Sequence, residues 1–308
     1  MKVAVTSPSF SKHTDLIEKM NKEFPDAKLN TKGEKFSQTS LIDYLKGYEA
    51  AIIGLDEIDD KVLAQLPELK IIAKYGVGLN NIDIEACKKR GVKIGWTGGV
   101  NKTSVAEMVI ANALTLLRNI YQTANLLSEG KWEKDGGEQL NNKTVGIIGV
   151  GHIGKEVVRM LAPFNCTILV NDIINQDDYY KTNNLIKSSK EDIFKNADVI
   201  TIHTPLTAET QNLLNQKSFL LMKPNAVIIN TARGGIVNEN DLLEALKSNR
   251  IKAAALDVYE EEPPTNSELL ALPNLICTPH IGGNAKEAVF AMGMSAINHL
   301  IDYKLINL

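Results

Sequence analysis

The chain has 308 residues, 44% of them hydrophobic and 23% charged, which is typical of a globular protein with two domains of moderate size. Its net charge is −3 with both signs mixed along the sequence, and no apolar run approaches the ~20 residues of a membrane span, so neither nucleic acid nor a membrane is an expected partner. Cys87, Cys166 and Cys277 lie far apart without metal-ligand spacing, which argues against disulfides or a metal site and favours the reducing cytoplasm.

Over the first hundred residues, short β-branched runs alternate with helical patterns. This alternation indicates a small α/β domain. The predicted strands are Lys2 to Thr6, Ala50 to Ile53, Lys70 to Lys74 and Val92 to Ile94, with a helix over Ile82 to Lys89 before the last of them.

A long helical pattern follows. From Thr103 to about Leu127, apolar residues recur at helical spacing without Gly or Pro. The spacing predicts one helix of roughly seven turns. A helix of this length often links domains or lines a dimer interface.

A second series of strands and helices fills the rest of the chain, and its alternation implies a parallel, doubly wound sheet. A last helical stretch, about Ala285 to Leu300, is expected to fold back on the first domain. The strands of this series are Thr144 to Ile148, Thr167 to Asn171, Val199 to Ile202, Ala226 to Ile229, Ala253 to Leu256 and Leu275 to Cys277; the helices include Ile153 to Leu161 and Leu242 to Leu246.

A glycine-rich loop joins the first strand of this series to the helix after it. The loop carries Gly149, Gly151 and Gly154 in the spacing G-x-G-x-x-G, with His152 and Ile153 inside it. One glycine turns the chain, one lets the backbone approach a pyrophosphate, and one packs the helix on the strand. The strand–loop–helix context predicts a dinucleotide-binding site.

The next strand ends in an acidic residue. Asp172 lies 18 residues after Gly154, close to the ~20 expected for an acid that binds the adenine ribose. Such a carboxylate accepts hydrogen bonds from ribose hydroxyls and repels a 2′-phosphate, and Ile173-Ile174 supplies no arginine to neutralise one. The sequence therefore favours NAD over NADP.

Three further segments follow later strands, at the edge of the sheet where α/β proteins bind ligands. They are Asn230-Thr231-Ala232-Arg233-Gly234-Gly235-Ile236-Val237, Leu256-Asp257-Val258-Tyr259-Glu260-Glu261-Glu262-Pro263-Pro264 and Thr278-Pro279-His280-Ile281-Gly282-Gly283. With the glycine loop and Tyr75-Gly76-Val77-Gly78-Leu79-Asn80-Asn81-Ile82-Asp83 in the first domain, this set resembles the D-isomer-specific 2-hydroxyacid dehydrogenases over nearly the whole chain. The resemblance implies hydride transfer between NAD and C2 of a small 2-hydroxy or 2-keto acid. A homodimer is also expected.

By this resemblance, His280 is the acid/base, Glu262 is its partner and Arg233 binds the substrate carboxylate. The chemistry asks for the same residue types. A hydroxyl that loses hydride at its carbon must also lose its proton, and histidine can exchange that proton near neutral pH. A carboxylate beside the imidazole stabilises its charged form, and arginine offers a planar fork that matches a carboxylate.

The resemblance also implies a domain arrangement and further contacts. It predicts two Rossmann-like domains, with an NAD-binding domain over residues 101–283 inserted into a discontinuous substrate domain of residues 1–100 and 284–308. Asp257 would meet the nicotinamide carboxamide, and the backbone of Val77 and Gly78 would bind the substrate carboxylate. The remaining implied cofactor residues are Thr204, Pro205, Thr231, Ala232 and Gly282.

One segment departs from the family pattern. Relatives that act on phosphoglycerate carry arginines after the strand equivalent to Ala50 to Ile53, but here Gly54-Leu55-Asp56-Glu57 is acidic and Lys74 is the nearby cation. A phosphate would meet like charge there, so phosphoglycerate is disfavoured, and glyoxylate, hydroxypyruvate or another short 2-keto acid stays open. The chain also continues only briefly past His280, and no C-terminal regulatory domain is expected.

Two other functions fit the same scaffold. An NAD-sensing corepressor could keep Arg233, Glu262 and His280, so these residues do not exclude a scaffold that binds NAD to assemble partners. Formate or phosphite oxidation is a further alternative, and formate is disfavoured because that branch resembles a Gln, rather than a Glu, as the histidine's partner.

Overall fold

The computed structural model describes residues 1–306. Every strand pair in it is parallel. The chain divides into two compact units: the first unit is Met1–Asn101 together with the chain from Asn284, and the second unit is Lys102–Gly283. The predicted α/β class with parallel sheets is confirmed.

Within the described residues, the strands are short and form one sheet in each unit. They are β1 (Val3–Val5), β2 (Lys28–Leu29), β3 (Ala50–Ile53), β4 (Ile71–Lys74), β5 (Lys93–Gly95), β6 (Thr144–Ile148), β7 (Thr167–Asn171), β8 (Ile186–Lys187), β9 (Val199–Ile202), β10 (Val227–Asn230), β11 (Ala253–Leu256) and β12 (Leu275–Cys277).

Helices alternate with these strands, and 3₁₀ turns occur at Phe10–Lys12 and Ala162–Phe164. The α-helices are α1 (Thr14–Glu23), α2 (Gln38–Leu45), α3 (Asp60–Ala64), α4 (Ile84–Arg90), α5 (Lys102–Leu117), α6 (Ile120–Ser128), α7 (His152–Leu161), α8 (Asp177–Thr182), α9 (Lys190–Asn196), α10 (Gln216–Leu221), α11 (Glu239–Lys247), α12 (Ser267–Leu270) and α13 (Lys286–Ile306).

The first unit has a sheet in the order β2-β1-β3-β4-β5 with a hydrophobic core on each face. Along β1, Ala4 packs in one core while Val3 and Val5 pack in the other, as the two-residue period of a strand requires. Because helices cover both faces, the inner strands β1 and β3 are continuously apolar. Ala296 and Leu300 of α13 are buried in the second core, so the last helix belongs to this unit.

The second unit has a sheet in the order β12-β11-β10-β9-β6-β7-β8. The first strand of this sheet in the sequence is the interior strand β6, and the chain continues outward through β7 and β8 and then crosses to β9 on the other side of β6. Ligands of parallel α/β sheets bind at the carboxyl ends of the strands, where this reversal occurs. In register across the sheet, Ile148 of β6 pairs with Ile202 of β9, Ile202 with Asn230 of β10, and Asn230 with Leu256 of β11.

The prediction of one continuous helix from Thr103 to about Leu127 is wrong. Helix α5 ends at Leu117, and a separate helix α6 begins at Ile120. Between them Asn119 has a left-handed backbone with φ 53°, a conformation that asparagine adopts more readily than most residues.

The end of α5 is fixed by contacts from distant parts of the chain. The Leu117 carbonyl accepts hydrogen bonds from the Glu138 backbone N–H at 2.8 Å and from Lys252 Nζ at 3.0 Å. Gly137 permits this approach, since a Cβ there would lie 2.1 Å from the same oxygen. Terminal helix carbonyls need such outside partners, and here they come from positions that helical periodicity does not reveal.

Among the described residues, no helix is both long enough and apolar enough to cross a bilayer. The cysteines Cys87, Cys166 and Cys277 are free thiols.

The contact between α13 and α1 yields a stability prediction. Gly293 of α13 faces Leu16, and a Cβ at Gly293 would lie 2.2 Å from Leu16 Cδ1, which is fully buried. Gly293→Ala should therefore destabilise the protein by about 1–3 kcal/mol through overpacking, although alanine favours a helix over glycine by about 1 kcal/mol.

The measurement is the urea dependence of unfolding. Asn298→Ala, at an exposed position of the same helix, is the control and should leave stability unchanged or slightly raised. A Gly293→Ala protein as stable as the Asn298→Ala protein would show that Leu16 does not restrict this position.

Candidate active site

The glycine loop connects β6 to α7 in a conformation that only small residues permit. Gly149 has φ 96°, and a Cβ there would lie 2.5 Å from the His203 carbonyl oxygen. A Cβ at Gly154 would lie 2.2 Å from the Gly149 carbonyl oxygen, whereas the space beside Gly151 is open. The loop thus packs tightly on the sheet and leaves room at the N-terminus of α7, where backbone N–H groups and the helix dipole favour an anion.

Asp172 follows β7 and contacts this loop. One of its carboxylate oxygens accepts the Val150 N–H at 2.6 Å, and the other accepts the Ile174 N–H at 2.8 Å. The side chain of Ile173 is 97% exposed. The structure thus brings the acidic residue and the glycine loop together at the ends of two neighbouring strands.

Three of the buried polar atoms that lack a hydrogen-bond partner within residues 1–306 lie just beyond β9 and β10. They are His203 Nδ1, Thr204 Oγ1 and Thr231 Oγ1, and the other such atoms lie on His13, Asn101 and Tyr180. Burial lowers the pKa of His203 to about 3, so its ring is neutral at physiological pH. A buried polar group left without a partner costs about 1–3 kcal/mol, so this edge of the sheet fits a ligand rich in polar groups, as a dinucleotide is.

The loop after β10 presents Arg233. The Asn230 side chain shapes this loop, since its Nδ2 donates to the Arg233 carbonyl at 2.9 Å and its Oδ1 accepts the Ala232 N–H at 3.1 Å. Arg233 is half-buried, and its Nη1 donates to the Ala232 carbonyl at 2.6 Å. Burial lowers the pKa of Arg233, and the nearby charge of Glu262 partly opposes this.

The loops after β10 and β11 contact each other through their backbones. A Cβ at Gly234 would lie 1.7 Å from the Tyr259 carbonyl oxygen, so only glycine fits between them. Glu262, farther along the second loop, accepts the Tyr259 N–H through Oε1 at 3.2 Å. This contact orients the carboxylate and leaves Oε2 for a second partner.

That partner is His280, which follows β12. His280 Nδ1 lies 2.8 Å from Glu262 Oε2, and the two side chains are 48% and 40% exposed. Since a carboxylate accepts and does not donate, Nδ1 carries the proton in this contact. The predicted histidine–carboxylate pair is therefore present as a direct hydrogen bond.

Asp257 holds the turn that carries His280. It is 1% exposed, and its Oδ1 accepts the Thr278 hydroxyl at 2.6 Å and the Ile281 N–H at 2.8 Å, while Oδ2 accepts the Gly282 N–H at 2.7 Å. Each carboxylate oxygen has two lone pairs, so Oδ2 retains capacity for one more donor.

The first unit carries the remaining predicted substrate residues. Lys74, at the end of β4, is 5% exposed, and its Nζ donates to the Gly54 carbonyl at 2.5 Å and to Asn81 Oδ1 at 2.6 Å. The backbone of Val77 accepts the Trp96 indole N–H at 2.9 Å, and Gly78 follows in the same loop. Lys74 thus ties together two loops of its own unit.

Two further positions shape the site without having been assigned a role from the sequence. Asn230 ends β10, where an asparagine before a loop is a recognisable turn-forming residue. Ser104, whose hydroxyl donates to the Gly282 carbonyl, is 178 residues from its partner and has no local signal. Within residues 1–306, no group of three or more His, Cys, Asp or Glu side chains is placed to hold a metal ion.

Comparisons with known proteins agree with this geometry. Residues 110–282 match the family model described as D-isomer specific 2-hydroxyacid dehydrogenase, NAD binding domain. The hydroxypyruvate reductase of Thermotoga maritima is 34% identical over 305 residues, which cover 97% of each protein. The D-3-phosphoglycerate dehydrogenase of Methanocaldococcus jannaschii is 35% identical over 297 residues, covering 95% of this chain and 55% of that protein. The solved structure of a D-2-hydroxyisocaproate dehydrogenase superposes with a TM-score of 0.85 at 25% identity, covering 100% of this chain and 98% of that chain.

The parallel sheet, its glycine loop and these matches define an NAD-binding oxidoreductase. The chain belongs to the D-isomer-specific 2-hydroxyacid dehydrogenases, whose members act on small 2-hydroxy or 2-keto acids with NAD. The predicted family, enzyme class and cofactor are confirmed.

Proposed function

We propose that this enzyme reduces a short, unphosphorylated 2-keto acid, of which hydroxypyruvate is the best candidate, with His280 as the acid/base. The observation that carries the proposal is the 2.8 Å contact between His280 Nδ1 and Glu262 Oε2, on loops that follow neighbouring strands of one sheet, next to the loop of Arg233. The likeness to a hydroxypyruvate reductase over 97% of both proteins supports this choice of substrate.

Each of the three side chains has a separate task. When bound, NADH supplies the hydride that C2 receives. His280 Nε2 gives the proton to the C2 oxygen, because Nδ1 faces Glu262. Glu262 fixes the tautomer and stabilises the imidazolium before the proton leaves, and general acid catalysis of this kind contributes about 10²–10⁴ in rate.

Arg233 holds the substrate carboxylate. Its guanidinium is half-buried, and the burial that lowers its pKa also removes water that would compete with an anion. Its planar fork binds both carboxylate oxygens, which fixes the rotation of the keto acid as well as its position.

The cofactor is held by the loops at the strand ends. We assign the pyrophosphate to the N-terminus of α7 beside Gly151, and the adenine ribose to Asp172. The hydroxyls of Thr204 and Thr231 gain partners when the cofactor binds, and Asp257 Oδ2 can accept the carboxamide N–H. The other residues assigned to the cofactor are Gly149, His152, Ile153, Gly154, Pro205, Ala232 and Gly282.

The first unit disfavours a phosphorylated substrate. The segment after β3 carries Asp56, which accepts the Thr6 hydroxyl, and the Lys74 ammonium donates to Gly54 and Asn81. The Lys74 ammonium is thus hydrogen-bonded within its own unit, and the negative charge of Asp56 would repel a substrate phosphate. Lys74, Val77 and Gly78 remain proposed substrate contacts, of which the Val77 and Gly78 N–H groups best suit a carboxylate.

We further propose a homodimer located in the cytoplasm. Helix α6 has no buried residue although Ile120 and Leu127 lie on it, and Trp132 just beyond it is 76% exposed. Large apolar side chains on one exposed segment favour a protein partner, and a second copy of the chain is the partner we assign. The cytoplasm rests on the cysteine usage of the sequence alone.

A substrate panel tests the proposal. Oxidation of NADH with hydroxypyruvate should exceed that with its 3-phosphorylated counterpart in kcat/KM by at least about ten-fold, because a repulsion of about 1.4 kcal/mol corresponds to that factor. Asp56→Asn should bring the kcat/KM values for the two substrates closer together. A preference for the phosphorylated acid would contradict the assignment, and NADH binding without turnover of any keto acid would favour the corepressor-like scaffold.

The assignment of Asp172 predicts the cofactor preference. NADH should bind far more tightly than NADPH, since a 2′-phosphate would meet the Asp172 carboxylate. In Asp172→Ala the two affinities should approach each other, while Asp178→Ala, which changes an exposed acid of α8, should match the parent. Fluorescence titration measures the affinities for NADH and NADPH. If the Asp172→Ala protein kept the parent's preference for NADH, Asp172 would not be the residue that sets it.

The His280–Glu262 pair predicts opposite pH dependences. Reduction needs the imidazole protonated and should decline as the pH rises, whereas oxidation of the hydroxy acid needs it neutral and should decline as the pH falls. His280→Ala should abolish this inflection and lose about 10²–10⁴ in turnover. Glu262→Gln should move the inflection to lower pH, because the imidazolium loses a stabilising charge.

The controls are Glu261→Gln, a neighbouring exposed acid, and His299→Ala, a histidine bound to Thr97 in the first unit. Both should keep the parent's profiles. Turnover is measured against pH in each direction, under conditions where hydride transfer limits the rate. Profiles that run parallel in the two directions would exclude His280 as the acid/base.

A further inference from the structure

The turn that carries His280 has a backbone that histidine does not favour. His280 has φ 54°, in the left-handed region that mainly glycine and asparagine adopt. A residue held in such a conformation costs of order 1–3 kcal/mol and persists only where the surroundings hold it in place. The direction of the imidazole therefore depends on the contacts that restrain residues 278–282, called here the His280 turn.

Asp257 restrains the His280 turn from the side of the sheet. Its carboxylate takes the N–H groups of Ile281 and Gly282 and the hydroxyl of Thr278. These bonds hold two N–H groups and one hydroxyl of the turn, and the Tyr259 hydroxyl donates to the Thr278 carbonyl at 3.0 Å.

Ser104 restrains the opposite side. Its hydroxyl, on the first turn of α5, donates to the Gly282 carbonyl at 2.6 Å. The second unit begins at Lys102 and ends at Gly283, so this bond joins the two ends of the unit. Gly282 is thereby held by both of its backbone polar groups, its N–H by Asp257 and its carbonyl by Ser104.

Gly282 is also enclosed by atoms from both sides. A Cβ there would lie 2.9 Å from Asp257 Oδ2, 3.5 Å from Met108 Sδ and 3.8 Å from Val105 Cγ1, the last two on α5. The His280 turn therefore packs directly between Asp257 and α5. A shift of Asp257 or of α5 would displace the backbone of Gly282, which is two residues after His280.

We propose that Ser104 is a positioning residue for His280. By holding the Gly282 carbonyl against α5, its hydroxyl keeps the imidazole aligned with Glu262 and with the substrate oxygen. This inference rests on the proposed role of His280, and it adds a residue of α5 that acts through the Gly282 backbone.

The test compares Ser104→Ala with a matched serine. Ser104→Ala should lower kcat for hydroxypyruvate reduction about three- to ten-fold, the effect of losing about one hydrogen bond. Its KM and its Kd for NADH, from fluorescence titration, should stay within about two-fold of the parent. Ser248→Ala removes a serine hydroxyl that also donates to a backbone carbonyl at 2.6 Å, at the end of α11, and should leave kcat unchanged.

Two further variants complete the test. Ser104→Thr retains the hydroxyl and should recover most of the turnover. Ser104→Cys keeps the size of the side chain but donates only weakly, so its turnover should resemble that of Ser104→Ala, and it takes the place of Ser104→Ala if the alanine protein does not fold. The deuterium isotope effect on kcat, with deuterated NADH, should rise in Ser104→Ala, since a misaligned acid slows the chemical step itself.

The outcomes separate this inference from the proposed function. Turnover lost in His280→Ala but kept in Ser104→Ala overturns the role of Ser104 alone. Turnover kept in His280→Ala overturns the proposed function. An NADH Kd that rises as much as kcat falls, or equal losses in Ser104→Ala and Ser104→Thr, also overturns the positioning role.

Discussion

The parallel register of the second sheet is the constraint on which the site depends. Ile148, Ile202, Asn230 and Leu256 pair in one line across four strands, so the loops that follow them start at the same level. The loops are far apart in the sequence, and the register is what brings them to the same level in the fold. The register brings a glycine loop, two buried threonine hydroxyls, an arginine and a histidine–carboxylate pair to one edge of the sheet.

Much of this arrangement could be predicted because its signals are local. Strands buried on both faces are continuous apolar runs, and β3, β6, β7, β9, β11 and β12 have the bounds that the runs indicated. The location of the glycine loop and of the residues after the strands could also be predicted, since a loop that follows a parallel strand lies at the ligand-binding edge of the sheet. The pairing of His280 with Glu262 needed the family pattern, because neither residue carries a spacing signal for the other.

The features that could not be predicted depend on contacts between distant residues. Helical periodicity continues past Leu117, yet Lys252 and Glu138 bind its carbonyl and the helix stops. The hydrogen bonds by which Asp257 holds Thr278, Ile281 and Gly282 likewise have no local signal in the sequence. In each case the deciding partner lies more than 20 residues away in the sequence.

The contact of Gly234 with the Tyr259 carbonyl has a consequence for redesigning this enzyme. Because no side chain fits between the two backbones, the loop of Arg233 and the loop of Glu262 cannot be altered independently. Substitutions in contact with one another give effects that do not add. If a library varied only one of these loops, many of its members would clash with the unchanged loop. A change of substrate range therefore requires the Arg233 loop and the Glu262 loop to be varied together.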